Sequence, residues 1–172
     1  MKSVLISIRP QWCEKIASGE KTIEVRKTRP KQETPFKCYI YCTKDSKKLL
    51  TYSDYCGYDM TDFSKDFLAN GHVIGEFGCD RVYQYASDFF RTKPLEGTDI
   101  STEDMTKFSC LSAKELYEYE HSAEPKENCI YLVGLYGWHI SNLKIYDTPK
   151  PLSEFGLTRA PQSWCYVKGG EG

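Results

Sequence analysis

Four glycines fall inside runs that otherwise read as β-strand: Gly75 and Gly78 within His72–Tyr85, and Gly134 and Gly137 within Cys129–Ile140. A glycine in a strand interior gives the sheet nothing to pack and marks a bulge, a tight bend or a close backbone approach. Two such strands predict a curved sheet, as at the corner of a small barrel. Other strand patterns are short: Ser3–Ile8, about Lys21–Lys27, Phe36–Thr43, Leu143–Asp147 and Ser163–Val167. Helical spacing covers Gln11–Ser18, with Pro10 suited to the first turn and Gly19 to the stop. A second helix is read at Thr61–Ala69. A third is read at Ser112–His121, where Ser112 and Glu115 have capping-box spacing. The sum is an α+β fold: five or six curved strands closing into a small β-barrel, flanked by two or three helices. The order does not alternate as βαβαβ, so a doubly wound nucleotide fold is not expected.

The 172 residues are expected to make one domain over residues 1–168 with a flexible tail at 169–172. Two segments, 44–70 and 86–128, read as elaborations on that core. No run of 18 apolar residues and no signal-peptide pattern is seen, so the expected setting is the cytoplasm, away from membranes. A net charge of −1 argues against a strong general affinity for nucleic acid. Yet residues 1–50 hold 12 of the 23 Lys+Arg and 5 of the 24 Asp+Glu. One basic surface or a mixture of charges in the folded chain both fit. The eight cysteines include no Cys-x-x-Cys pair, and the three histidines are scattered. Free buried thiols are therefore expected, with no metal and no cofactor. In Phe36–Thr43 the alternation sets Cys38, Ile40 and Cys42 on one face and Tyr39 and Tyr41 on the other.

Walker, dinucleotide, nucleophile-elbow and zincin signatures are absent from the sequence. The densest chemistry lies in Ser18-Gly19-Glu20-Lys21-Thr22-Ile23-Glu24-Val25-Arg26-Lys27. Strand alternation puts Glu24 and Arg26 on one face, with Lys21 at the exit of the helix cap. A Lys, a Glu and an Arg so placed could bind phosphate or a polar base edge. A desolvated Lys21 could act as base or nucleophile. A solvated strand face with a weak surface ion pair is the plain alternative.

Leu5-Ile6-Ser7-Ile8-Arg9-Pro10-Gln11-Trp12, followed by Ile16-x-Ser18-Gly19-x-Lys21-x-x-Glu24-x-Arg26-Lys27, resembles the N-terminal signature of ASCH domains of the PUA-like superfamily. Gly75-Glu76-Phe77 and the ending Pro161-Gln162-Ser163-Trp164 fit more loosely, the latter resembling bacterial and phage-associated members. The resemblance implies a cleft at the motif that binds RNA or a modified nucleoside, with Lys21, Glu24 and Arg26 lining or bracing it. Some ASCH proteins are hydrolases. One subgroup cleaves N4-acetylcytidine and carries Thr where this chain has Glu24, so its nucleophile is missing here; Thr22 is nearby but holds a different place in the motif. Others are ribonucleases.

The aromatic content of 14% suits base stacking. Trp12, Tyr39, Tyr41 and Trp164 are the candidates, each with core packing as its alternative. Gln162 and Ser163 could read a base edge. Three readings follow. The first is a module binding RNA or a modified nucleoside through Lys21, Glu24, Arg26, Trp12, Gln162, Ser163 and Trp164. The second is a hydrolase, a ribonuclease or an N4-acylcytidine-type amidohydrolase. Its catalytic residues would be Lys21 and Glu24, with Glu76 or Ser163 as other partners for the lysine. The third is a phage or mobile-element protein acting on a host protein partner through the elaborations.

Overall fold

The computed structural model describes residues 2–44, 48, 50–51, 68–86, 98–122 and 134–168. They form β1 (Ser3–Ile8), α1 (Pro10–Ala17), β2 (Ile23–Arg26), β3 (Phe36–Cys42), β4 (Val73–Cys79), β5 (Val82–Tyr85), α2 (Thr102–Ser109), α3 (Ala113–His121), β6 (Leu135–His139), β7 (Ser141–Lys150) and β8 (Trp164–Val167). The larger sheet has the order β7-β4-β3-β1-β8 and the smaller β2-β6-β5. β1 and β3 run parallel, and every other pairing is antiparallel. The fold is α+β, as expected. Instead of one ring of five or six strands, the described residues make eight strands in two sheets, and these do not close into a barrel.

The curvature read from the glycines goes into corners and bulges. The run expected as one strand over His72–Tyr85 breaks at Asp80-Arg81, and the chain passes from the larger sheet to the smaller. It returns at Ile140, between β6 and β7. The pairing of β4 with β7 slips on either side of Gly75 and Glu76. A Cβ at Gly75 would lie 2.5 Å from the Lys144 carbonyl oxygen, so the two backbones meet there because nothing separates them. At Gly137 a Cβ would lie 2.9 Å from Ile23 Cγ2, so this glycine lets β2 and β6 seat closely.

The core falls into three clusters. Cys38, Ile40 and Cys42 of β3 join β1, α1 and Trp138 in the largest. Tyr39 and Tyr41 pack on the opposite face with Leu5, Val73 and Phe155, so the alternation read in β3 holds. The third lies between the smaller sheet and α2 and α3, with Ile23, Val25, Met105 and Leu116. α1 begins at Pro10 and stops before Gly19, which takes φ +79°. α3 carries the expected capping box between Ser112 and Glu115. α2 falls in a stretch, 86–110, that reads as irregular. Ser101 caps it through the Asp104 N–H, and Cys110 ends it in the left-handed conformation.

Cys13, Cys38, Cys42 and Cys79 are free and buried, and Cys110 and Cys165 are free and half-buried. Cys56, Cys129, residues 169–172 and all but the end of the helix expected at Thr61–Ala69 lie outside the described residues. No helix among the described residues is long and apolar enough to cross a membrane.

Candidate functional site

The turn after α1 aims Lys21 inward. The Gly19 N–H donates to the Ile16 carbonyl at 3.0 Å, and the Lys21 N–H to the Lys15 carbonyl at 2.9 Å. The next residue is held from both sides: the Thr22 N–H donates to the Phe108 carbonyl, and its own carbonyl accepts from the Ile140 N–H. Lys21 is thereby buried, 3% exposed. Its ammonium donates to the Ser109 carbonyl at 2.7 Å and lies 3.4 Å from Glu24 Oε2. It also sits 5.3 Å from the centre of the Trp12 ring. The other carboxylate oxygen, Glu24 Oε1, accepts from Arg26 Nη2 at 2.8 Å. The same Nη2 donates to the Ser7 carbonyl at 2.6 Å, tying β2 to β1. Arg26 Nε is buried and has no hydrogen-bond partner among the described residues.

Two cations share one carboxylate in a space almost closed to water. Burial lowers the Lys21 pKa, with Glu24 opposing that shift but not cancelling it. The plain expectation of a solvated strand face is thus overturned. The helix cap and α2 together turn the lysine into the protein, where desolvation dominates.

Glu24 and Arg26 form part of the wall of a cleft of about 480 Å³. Trp12 and Gln11 of α1, Ser7 and Arg9 at the end of β1, Leu111, Glu115 and Tyr119 from α3 and its approach, and Gln162 are also in it. Burial raises the Tyr119 hydroxyl pKa, so it stays a neutral donor and acceptor. Ser112 donates to Glu115 from its backbone and hydroxyl, holding that carboxyl below its ordinary range.

Lys21, Glu24 and Arg26 therefore come together, and Trp12 and Gln162 join them at the same cleft. Lys21 is not in the wall; it stands behind Glu24. Trp164 sits beside the cleft, its ring 5.9 Å from that of the buried Trp138 and its indole N–H donating to Thr28 Oγ1. Ser163 contributes its carbonyl, which accepts from the Ser7 N–H at 2.8 Å. Tyr39 and Tyr41 are core residues, 3% and 4% exposed, and offer no stacking face. Glu76 does not partner Lys21: its carboxylate is held by Lys37 at 3.0 Å and the Tyr146 hydroxyl at 2.7 Å. Sequence reasoning missed Ser109 and Tyr119, because both fall in 86–128, a segment that reads as an elaboration on the core. The capping box gave the helix bearing Tyr119, but no local pattern gives the face it turns to β2.

No family model matches the chain, and no curated protein matches it in sequence. Solved structures do match. The ASCH protein of Zymomonas mobilis superposes with a TM-score of 0.62 at 16% identity, covering 97% of this chain and 88% of the other. A tyrosine-to-phenylalanine variant of that protein gives a TM-score of 0.54 at 14% identity, covering 98% and 91%. A serine-to-alanine variant gives 0.54 at 15%, covering 97% and 89%. At these identities the likeness is one of fold, and the fold is that of an ASCH domain.

Proposed function

We propose that the cleft binds a base, either of RNA or of a modified nucleoside, with Glu24 and Arg26 of the Gly-x-Lys-x-x-Glu-x-Arg segment in its reading wall. One observation carries this: three charged side chains are gathered almost out of water, and two of them, Glu24 and Arg26, line a cleft together with Trp12 and Tyr119. A buried charge cluster is a poor source of stability and a common feature of recognition sites. Aromatic rings stack on any base, and a donor next to a carboxylate can meet the polar edge. Lys21 is a positioning residue: it fixes Glu24 from behind.

The hydrolase reading rests on a different observation, the lowered pKa of Lys21. Its ammonium faces Ser109 and Glu24, so Lys21 would influence chemistry through the carboxylate.

The test is a nuclear magnetic resonance titration with the four ribonucleosides, N4-acetylcytidine and their 5′-monophosphates. The Arg26 Nε–H and Trp12 indole signals should shift together and saturate. Arg26→Met should weaken that ligand by about tenfold or more, the scale of a lost hydrogen bond to a charged group. Shifts that saturate away from Trp12 and Arg26 would contradict the proposal. New products in the same tubes, lost in Lys21→Met while binding remains, would establish the hydrolase.

A further inference from the structure

We infer that β8 and the loop between β2 and β3 form a track for a single-stranded polynucleotide leading out of the cleft. This rests on the cleft's being a base site, and it names the ligand as a strand. Trp164 and Tyr166 lie two residues apart on one face of β8, which is the last strand of its sheet. Their rings are 5.5 Å apart, and Tyr166 is 38% exposed.

The loop carries Lys27, Arg29 and Lys31 and is fastened to those two rings. The Trp164 indole N–H donates to Thr28 Oγ1 at 3.0 Å, and the Lys31 N–H donates to the Tyr166 hydroxyl at 2.9 Å. Lys2 reaches the same surface, its ammonium 5.7 Å from the centre of the Tyr166 ring. Arg29, Lys31 and Lys2 are exposed, and none has an ion-pair partner among the described residues. The strip joins two hollows. Gln162, two residues before Trp164, lines the cleft. Lys2 lines a second hollow of about 380 Å³ together with Lys37. At ~3.3 Å per residue, Gln162 to Tyr166 spans about 13 Å.

Charge selects the occupant. Unpaired cations interleaved with aromatic rings fit a backbone of phosphates with bases to stack. A free nucleoside would use the cleft and leave this strip empty. A protein partner would need a wider apolar face than two rings supply.

The probes are fluorescein-labelled octauridylate and diuridylate, read by fluorescence anisotropy at several salt concentrations. The octamer should bind at least about tenfold tighter than the dimer, as a site of several nucleotides requires. Arg29→Glu with Lys31→Glu should weaken the octamer by about tenfold or more. The slope of log affinity against log salt should fall by about 1.4, the loss of two phosphate contacts on a single strand. Both residues are exposed, so folding is unaffected, and an unchanged melting temperature would confirm it. Tyr166→Ala should weaken the octamer severalfold, while Tyr166→Phe keeps most of the affinity. An octamer no tighter than the dimer, or indifferent to the paired charge reversal, overturns the track even if the nucleoside titration succeeds. An octamer lost on charge reversal but indifferent to Arg26→Met leaves the track standing and removes the cleft as a base site.

Discussion

Glu24 and Glu76 are each held by a lysine and a second donor, yet the two lysines respond in opposite directions. Glu24 sits between Lys21 and Arg26 with 8% of its side chain exposed, and burial lowers the Lys21 pKa. Glu76 sits between Lys37 and Tyr146 with 22% exposed. There the hydrogen bond to Glu76 raises the Lys37 pKa, and burial opposes it without cancelling it. The contacts are alike in kind; the solvent is not. Where water remains, the pair keeps most of its attraction at little cost. Where water is removed, the desolvation of the Lys21 ammonium exceeds what Glu24 returns. The Glu76 cluster therefore contributes modestly to the fold. Lys21 is held in that dry position by the turn at Gly19, the Ser109 carbonyl and Glu24.

The comparison can be broken at its two carboxylates. Glu24→Gln leaves Lys21 and Arg26 buried without a counter-charge and should destabilise the protein by about 3 kcal/mol in urea unfolding. If Glu24 were an ordinary surface partner, the loss would stay under about 1 kcal/mol. Next in size, Lys21→Met combined with Glu24→Leu and Arg26→Met replaces all three charges by apolar volume. Its stability should recover to within about 1 kcal/mol of wild type, with nucleoside binding still lost. A triple variant as unstable as Glu24→Gln would mean that the cluster holds the fold together. Glu76→Gln should have the smallest effect, about 1 kcal/mol or less, and it carries a sign. Burial pushes Glu76 up, but the hydrogen bonds from Tyr146 and Lys37 outweigh it and leave its pKa lowered. Its contribution is present above the ordinary carboxylate range and is lost as pH falls through the depressed value. Wild type and Glu76→Gln should therefore converge at acid pH, and parallel stability curves would contradict this.

Local rules made much of the site legible. Glycine at the helix stop, period-two alternation in β2 and the capping box of α3 each follow from neighbours in the chain. They placed Lys21, Glu24 and Arg26 correctly relative to one another. The depth of Lys21 was not legible. It depends on Ser109, 88 residues away, at the end of a helix that buries only Met105 and Ser109. α2 itself escaped because its buried residues are too few to make a stripe and its stop is Cys110, not a glycine. Glu76 was misplaced as a Lys21 partner because the sequence does not show which face of β4 meets Lys37 and Tyr146. The strand glycines promised curvature truly but not its form. Corners at Asp80 and Ile140 shift the chain between two sheets, where a smooth bend would have closed one.

The most direct test is a carbon-13 titration of the lysine ε-carbons, with Lys21→Met and Lys37→Met used to assign the two signals. Lys21 should titrate below the ordinary lysine value of 10.5 and Lys37 above it. The same order fixes the stability curves: Lys21 makes stability rise with pH between its lowered pKa and 10.5, whereas the contribution of Lys37 is lost as pH climbs through its raised one. A Lys21 that titrates at or above 10.5 would mean that Glu24 outweighs burial. The cluster would then be a structural ion pair, and the case for a desolvated recognition site would fall.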